Sequence, residues 1–580
     1  MRLPSEPKKR VFHGCCVHSL TNRKLEYLRD ALLAVDEAGF ITFLQPDVAR
    51  QDIAAILRQQ DWQDVEVVDL ERGQFLIPGL IDTHTHAPQY PNLGRGQQYQ
   101  LLDWLSHLTF PTEAKFDDPI YAAKTYESVV NRVINTGTTT CCWYGTLHVE
   151  ASKILASILH RRGQRCFVGK CNMDRHSRVD YVEKSASVSI ADTKEFIKFV
   201  RQECCSTREP GTQSTSSDSP KLSNGILHHR QHHSSNHSYG DGDRAPQRRS
   251  STAGSSVSQS SSSALSSTST AMESKSTEAL VQPIITPRFA ISCSDALMAG
   301  LQALVGKDST LHIQTHLAEN PAEIEYTKQL FPFTDSYTQV YDHFGLLTSK
   351  TILAHCVHLT ESEMTLIKKR RSGISHCPTS NNNLRSGCSP IAELLDHDIK
   401  VGLGTDVSGG FGMGILTALR EASVVSKVLG FGERTKVEAD QKRGRSMTPK
   451  GGGLPSIEGD SADAPALKVE KFAGNHLPLE TLFFLATLGG AEVCDMSERI
   501  GNFVVGKEFD ALLVHTGQKE PGYEGDPFAN QPNPALFIEE EDALETIFEK
   551  FLFAGDDRNI ASVFVRGRVI GGAAPLQCPV

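Results

Sequence analysis

An apolar run early in the chain ends in two histidines. His84 and His86 close the segment 78–86, Pro-Gly-Leu-Ile-Asp-Thr-His-Thr-His, and are separated by one residue. Alternate side chains of a β-strand lie on the same face, so both imidazoles can reach one metal ion. Two ligands alone do not make a metal site. The pattern therefore predicts further His, Asp or Glu ligands at the ends of other strands.

Three more candidate ligands follow apolar runs of the same kind, namely His316, His355 and Asp406. In a parallel barrel the carboxyl ends of the strands meet on one rim, where barrel proteins place their chemistry. Imidazole and carboxylate ligands suit zinc. We therefore predict a zinc site formed by His84, His86, His316 and Asp406, with water in the remaining position. The spacing leaves open whether His355 binds the metal or orients the nucleophile.

Glu319 is a candidate proton carrier. It lies three residues after His316, just past the predicted strand, so its carboxylate can face the same cavity. A metal-activated water must lose a proton and a leaving group must gain one. We interpret Glu319 as the group that moves this proton. A glutamate at this position would also stabilise the beginning of a helix.

Short apolar segments alternate with helical stretches between these residues. Eight strands are predicted, at 78–86, 138–143, 166–170, 283–285, 311–316, 351–355, 373–376 and 401–406. This alternation predicts an α/β fold, a (β/α)8 TIM-like barrel over residues 78–498. Short β segments at 1–77 and 499–580 predict a small β-sandwich domain formed from both chain termini.

Two polar stretches interrupt the predicted barrel. Serine dominates residues 205–277, and residues 433–469 are rich in Gly, Pro and Lys. Such composition does not bury enough apolar surface to order itself, so both stretches are predicted to be disordered insertions in loops.

Composition excludes several classes of protein. The net charge of −10 argues against a nucleic-acid-binding surface, which carries a basic excess. The 14 cysteines are scattered without a regular framework, which fits free thiols in a reducing compartment. The basic N-terminus has no apolar core after it, and no apolar run is long enough to span a bilayer. We expect a cytosolic protein with no nucleic-acid or membrane partner.

Several segments resemble the amidohydrolase superfamily. They are PGLIDTHTH at 78–86, THLAE at 315–319, AHCVH at 354–358 and GLGTDVSGG at 402–410. A closer likeness, to the guanine deaminase family, is carried by HAPQYPN at 86–92, LLDWL at 101–105, TFPTE at 109–113, TPRF at 286–289 and GDDRNI at 555–560. The resemblance covers nearly all of the chain except the two insertions and the extreme termini.

The resemblance implies an activity. It implies one zinc ion per subunit, guanine as the small-molecule substrate, xanthine and ammonia as products, and a homodimer. The implied mechanism is attack of zinc-bound hydroxide on C2 of the ring. Asp406 would act as the base, Glu319 as the proton shuttle, and His355 as a support for the tetrahedral centre.

The resemblance also implies the residues that contact the substrate. They are His86, Ala87, Pro88, Gln89, Arg288, Phe289, His316, Leu317, Ala318, Glu319 and Asp406. Guanine is flat and carries a carbonyl acceptor and ring N–H donors. Arg288 can donate to the carbonyl, the Gln89 amide can donate and accept, and Phe289 can supply a stacking or edge contact.

Three alternatives stay open from the sequence. Amidohydrolases with two metals carry a carboxylated lysine on the fourth strand, which has none here, although Lys170 lies one strand earlier. A cytidine deaminase is not one of the three, because His148 and Glu150 match half of its pattern but no P-C-x-x-C follows. A related heterocycle such as 8-oxoguanine could be the substrate. A catalytically inactive scaffold is the third alternative, against which the complete ligand set argues.

Overall fold

The computed structural model describes residues 8–204, 278–444, 472, 476–519 and 531–574, with the backbone alone for residues 432–444. In chain order its strands are β1 (Arg10–Thr21), β2 (Lys24–Val35), β3 (Ile41–Gln45), β4 (Val67–Asp69), β5 (Gln74–Pro78), β6 (Leu80–His86), β7 (Thr138–Tyr144), β8 (Arg165–Gly169), β9 (Cys171–Asn172), β10 (Val281–Pro287), β11 (His312–Leu317), β12 (Thr351–His355), β13 (Gly373–His376), β14 (Lys400–Leu403), β15 (Ala511–His515), β16 (Ile560–Val565) and β17 (Arg568–Gly571).

Helices connect most of these strands. They are α1 (Ile53–Gln59), α2 (Leu101–Trp104), α3 (Phe110–Glu113), α4 (Pro119–Asn135), α5 (Val149–Arg162), α6 (Ala186–Glu203), α7 (Asp295–Val305), α8 (Pro321–Leu330), α9 (Tyr337–His343), α10 (Glu361–Arg370), α11 (Pro378–Asn383), α12 (Ile391–Asp396), α13 (Ile415–Gly444), α14 (Leu479–Ala486), α15 (Leu488–Val493) and α16 (Leu544–Ala554). None of the described helices combines the length and apolar character that crossing a bilayer requires.

Eight parallel strands form the barrel, in the order β6-β7-β8-β10-β11-β12-β13-β14. All eight predicted strands are present, with ends shifted by a few residues. Hydrogen bonds bring the last strand back to the first. The Thr83 hydroxyl donates to the Leu403 carbonyl, and the Asp406 amide donates to the His84 carbonyl, each at 2.9 Å. The predicted (β/α)8 barrel is confirmed, and its closure places Asp406 beside His84.

Amphipathic helices cover the outside of the barrel. In α4 the buried residues are Ala122, Tyr126, Val129, Val130, Val133 and Ile134, which recur at helical spacing along one face. Burying an apolar side chain of this size contributes about 1.5–3 kcal/mol. The helix begins where the Asp118 side chain accepts the Ile120 amide at 2.8 Å, with Pro119 in the first turn.

Strands from both chain ends form a second, mixed sheet. Its order is β17-β16-β15-β5-β1-β2-β3, with β4 paired to β1. The rings of Phe12, Phe509 and Phe564 pack against each other with centroid separations of 5.4–5.7 Å. The predicted β domain from both termini is therefore confirmed, with its eight strands in one connected sheet. The sequence also predicts a strand at 501–505, which is wrong, because that segment forms turns with exposed valines.

Buried charges join this sheet to the barrel. Arg165, at the beginning of β8, donates to Glu508 at 2.6 Å and to both carboxylate oxygens of Asp510 at 2.7 and 2.9 Å. All three side chains are buried. Burial alone would lower the pKa of Arg165, but the two carboxylates outweigh it and raise that pKa. The guanidinium therefore stays charged at the end of the barrel opposite to the strand-end histidines.

The predicted insertion at 205–277 lies outside the described residues. The second insertion is predicted to begin at residue 433, whereas α13 continues to Gly444. The rest of that stretch, at 445–469, also lies outside the described residues.

Candidate active site

The predicted metal ligands converge at the carboxyl end of the barrel. His84 Nε2 lies 3.2 Å from Asp406 Oδ1, and His86 Nε2 lies 3.4 Å from the same oxygen. The Nε2 atoms of His86 and His316 are 3.2 Å apart. A tetrahedral zinc site with bonds near 2.1 Å sets its ligand atoms about 3.4 Å apart. These three pairs therefore have the spacing of neighbouring atoms in a ligand shell.

The histidines are arranged to offer lone pairs to a cation. His316 Nδ1 donates to the Arg288 carbonyl at 2.6 Å, which leaves the lone pair of its Nε2 facing the cluster. His84 Nε2 is buried and makes no hydrogen bond with the described residues. Burial lowers the pKa of His84, His86 and His316, which favours the neutral imidazoles that a metal ion requires. This donor set fits a zinc ion.

Asp406 completes the set as a carboxylate. Burial would raise its pKa, but the neighbouring imidazoles of His84, His355 and His86 outweigh burial and hold that pKa well below its ordinary value. Its backbone has a positive φ of 45°. Asp82 fixes this turn, since its carboxylate accepts the Thr405 amide at 3.0 Å and the Thr405 hydroxyl at 2.5 Å. The strained backbone is thus held by the neighbouring strand.

His355 lies between two carboxylates. Its Nε2 is 3.3 Å from Glu319 Oε2 and 3.9 Å from Asp406 Oδ2, and its Nδ1 donates to Asn381 Oδ1 at 2.9 Å. Burial would lower the pKa of His355, but Glu319 and Asp406 outweigh it and raise that pKa. One donor atom each from His84, His316, His355 and Asp406 also lie within 4.8 Å of one another. His355 is thus close enough to the cluster to join it.

Glu319 is held at the edge of this cluster. Its Oε1 accepts the Ser386 hydroxyl at 3.1 Å, and its amide donates to the Glu323 carboxylate at 2.9 Å. Burial raises the pKa of Glu319 to about 7. The predicted proton carrier therefore lies against the candidate metal ligands, with a proton affinity suited to neutral pH.

A cavity opens beside the cluster. Its polar lining includes His86, Gln89, Arg288, His316, Glu319 and Asp406, and its apolar walls include Leu101, Trp104, Leu105, Phe289 and Leu384. Four residues predicted to contact the substrate, Ala87, Pro88, Leu317 and Ala318, are buried beside the cavity and do not line it. The other residues predicted to contact the substrate line the cavity.

Glu113 also belongs to the site, although its place in the sequence does not predict this. Its carboxylate accepts two hydrogen bonds from Arg288, at 2.6 and 3.0 Å, and one from Gln89 Nε2 at 3.0 Å. The Tyr181 hydroxyl donates to it at 2.6 Å. The available signal was the TFPTE segment, together with the rule that a buried arginine needs a carboxylate partner.

Comparisons with known proteins agree with this site. The profile of the amidohydrolase family matches residues 75–225 and 251–448. A guanine deaminase of Dictyostelium discoideum is 36% identical over 97% of this chain and 98% of the relative, and that of Homo sapiens is 32% identical over 97% of both. This chain belongs to the amidohydrolase family, among the guanine deaminases. The guanine deaminase of C. acetobutylicum, solved with guanine bound in its active site, is 27% identical, with a TM-score of 0.68 and coverage of 97% and 100%.

Lys170, which left a two-metal amidohydrolase open, is engaged elsewhere. It follows β8, forms a buried ion pair with Glu183 and donates to the Cys171 carbonyl at 3.1 Å. It does not line the cavity beside the histidines. Lys170 is therefore engaged away from the candidate metal ligands.

Proposed function

We propose that this protein hydrolyses guanine to xanthine and ammonia. The observation that carries the proposal is a single cavity with two different walls. One wall is the His and Asp cluster with Glu319, which suits hydrolysis, and the other is Arg288 with Gln89 and Phe289, which suits a flat oxo-purine. The relatives named guanine deaminase, which match nearly the whole chain, support it.

His84, His86, His316 and Asp406 would hold one zinc ion in this proposal. Their donor atoms are 3.2–3.4 Å apart in the pairs that contact each other. His355 is the weaker candidate for a ligand, because its Nε2 is 3.9 Å from Asp406 and closer to Glu319. A bound zinc ion supplies Lewis acidity and lowers the pKa of water.

Glu319 and Asp406 divide the movement of protons. Asp406 is ionised and takes a proton from the attacking water. Glu319, with its pKa of about 7, donates its proton to the ring nitrogen next to C2. The proton that Asp406 took from water then passes to the departing amino group, and Glu319 regains a proton from the hydroxyl group on C2 as the new carbonyl forms. His355 lies between the two carboxylates and stabilises the negative charge that develops on the substrate. Water is consumed and ammonia is released, so the atoms balance.

Arg288, Gln89 and Phe289 orient the purine. Arg288 donates to the ring carbonyl, and the Gln89 amide offers one N–H and one lone pair to the ring edge. Phe289 lies 6.5 Å, centroid to centroid, from the His316 ring, so a flat substrate can reach the metal cluster and the Phe289 ring together. These contacts favour a base that carries both a carbonyl group and a ring N–H.

An ammonia-release assay tests the proposal. Guanine, adenine, cytosine and 8-oxoguanine are compared on one preparation whose zinc content is measured. Release from guanine at the highest kcat/KM is the expected result. Zinc-loaded protein that releases no ammonia from guanine would contradict it, whether another base reacts or none does.

The expected homodimer stays a prediction, which light scattering after gel filtration tests.

A further inference from the structure

Glu113 holds both candidate purine-binding side chains at once. Arg288 and Gln89 donate to the same carboxylate, which is completely buried on α3. We propose that Glu113 is a positioning residue that determines selectivity for a purine with a ring carbonyl. The inference rests on the proposed function, since it concerns how the same cavity chooses among purines that carry the reacting amino group.

The carboxylate decides which edge of Arg288 is free for a ligand. Nη1 donates to Glu113 Oε2 at 2.6 Å, and Nη2 donates to Oε1 at 3.0 Å. A guanidinium has five N–H groups. This pairing uses one N–H of each terminal nitrogen and leaves the other N–H groups, along the two sides of the guanidinium, for a ligand. The Arg288 guanidinium carbon also lies 5.2 Å from the centre of the Phe110 ring. Glu113 and Phe110 together restrain both the rotation and the tilt of the guanidinium.

The carboxylate also decides which way the Gln89 amide points. Gln89 Nε2 donates to Glu113 at 3.0 Å, while Gln89 Oε1 accepts the Ser408 amide at 3.2 Å. Turning the amide over would set its oxygen against the Glu113 carboxylate and its N–H against the Ser408 N–H. Each partner excludes the reversed orientation, so the donor and the acceptor of Gln89 keep fixed places in the cavity.

A fixed pattern of donors favours one kind of purine. A carbonyl oxygen on the purine ring accepts hydrogen bonds from the oriented N–H groups of Arg288. A purine with hydrogen at the same ring carbon offers no acceptor and leaves these N–H groups unpaired. A site built around hydrogen bonds rejects such an analogue far more strongly than an apolar pocket does. 2-Aminopurine has the reacting amino group of guanine without the carbonyl. The ratio of kcat/KM for guanine to that for 2-aminopurine therefore measures the contribution of Glu113.

The experiment compares kcat and KM for both purines in the wild-type protein and in Glu113→Gln, which keeps the shape and removes the charge. The guanine preference is expected to fall by about 10- to 100-fold, through a higher KM for guanine, while kcat/KM for 2-aminopurine changes little. Tyr181→Phe is the matched control. It removes one donor to Glu113 and leaves Arg288 and Gln89 in place, so the preference should stay within about threefold of wild type.

Further variants separate positioning from stability. Loss of folded or zinc-loaded protein lowers both rates equally, so it leaves the ratio unchanged. If Glu113→Gln does not fold, Glu113→Asp keeps the charge at a shorter reach and should lower the ratio in the same direction. In an Arg288→Met background, Glu113→Gln should cause a smaller further loss of preference. A wild-type preference retained in Glu113→Gln, or in Glu113→Asp when only that variant folds, overturns this inference, whereas wild-type protein inactive on guanine overturns the proposed function.

Discussion

At the scale of single residues, Glu319 combines burial with a contact to an imidazole. Its carboxyl group faces His355 at 3.3 Å and accepts the Ser386 hydroxyl at 3.1 Å. Burial makes the charged form costly, which raises the pKa of Glu319 to about 7. A carboxyl group of ordinary pKa would be ionised at neutral pH and would have no proton to give. The environment therefore makes this glutamate suitable as an acid.

Glu319→Gln is expected to lower kcat by about 10²- to 10⁴-fold, because the amide cannot pass a proton to the substrate. Zinc content should stay at the wild-type level, since Glu319 is not among the predicted ligands. Steady-state kinetics and metal analysis on the same sample check both statements. Ser362→Ala, on the exposed side of α10, serves as a control for effects of mutagenesis and purification. Near-normal turnover in Glu319→Gln would remove this residue from its proposed role.

The same group predicts a pH dependence. The pKa of Glu319 is above its ordinary value, so the acid form is present below about pH 7 and is lost as the pH rises through that value. The rate should therefore fall toward alkaline pH. The stability that neutral Glu319 contributes is complete below its ordinary pKa of 4.5 and is lost as the pH rises from there to about 7. Rate and thermal-unfolding profiles from about pH 4 to about 9 measure both trends. In Glu319→Gln the group that titrates is gone, so neither the rate nor the stability should change with pH for this reason. If the rate of Glu319→Gln still declines at alkaline pH, another group causes the decline.

At the scale of elements, the strand ends explain what the sequence could predict. The eight barrel strands were recognisable because each apolar run stops at a polar group or a turn, and β6 and β7 are buried along their whole length. The segment at 501–505 has the same apolar character but pairs with no described strand, and Val504 and Val505 are 43% and 55% exposed. Pairing depends on distant residues, which local composition does not reveal.

Glu113 shows why part of the site was not predicted. It lies 175 positions from Arg288 along the chain, on a helix of four residues. The histidines could be recognised because metal binding restricts the residue types and the positions on a strand. A carboxylate that supports another side chain has no such restriction, and its partner is visible only in three dimensions.

The proposed metal would tie three barrel elements together, and its removal should show this. His84 and His86 belong to β6, His316 belongs to β11, and Asp406 follows β14. A bound ligand stabilises the folded state by about 4 kcal/mol at a thousand times its dissociation constant. Chelation should abolish activity and lower the melting temperature, and zinc should restore both. Differential scanning fluorimetry measures the shift. In His316→Ala the shift should be much smaller, and an equal shift there would contradict this ligand set.

At the scale of the whole molecule, the barrel and the terminal sheet are joined through Arg165. It lies at the amino end of β8, whereas the candidate active site lies at the carboxyl ends of the strands. Its partners are Glu508 and Asp510. They lie just before β15, the strand with which the chain returns to the terminal sheet. Stability and catalysis are therefore placed at opposite ends of the same barrel.

Arg165→Met should cost about 3–5 kcal/mol of unfolding free energy, because it leaves the buried Asp510 carboxylate without its arginine partner. Glu508 keeps its ion pairs with Arg499 and Arg566. Chemical denaturation measures the loss, and kcat of the folded protein should change little. Arg29→Ala is the control, since its pair with Glu545 at 2.6 Å is half-exposed and contributes no more than about 1 kcal/mol. Equal losses in the two variants would contradict a special role for the buried cluster.

The connection between β6 and α4 offers a practical route to new enzymes. It begins directly after His86, and it carries Gln89, Trp104 and Glu113, while the proposed metal ligands belong to strands or follow them. A library confined to residues 87–118 would therefore vary the part of the cavity lining that this connection supplies. It would leave the proposed metal ligands and Glu319 unchanged. Directed evolution toward other amino-heterocycles has a single, continuous stretch of gene to mutate.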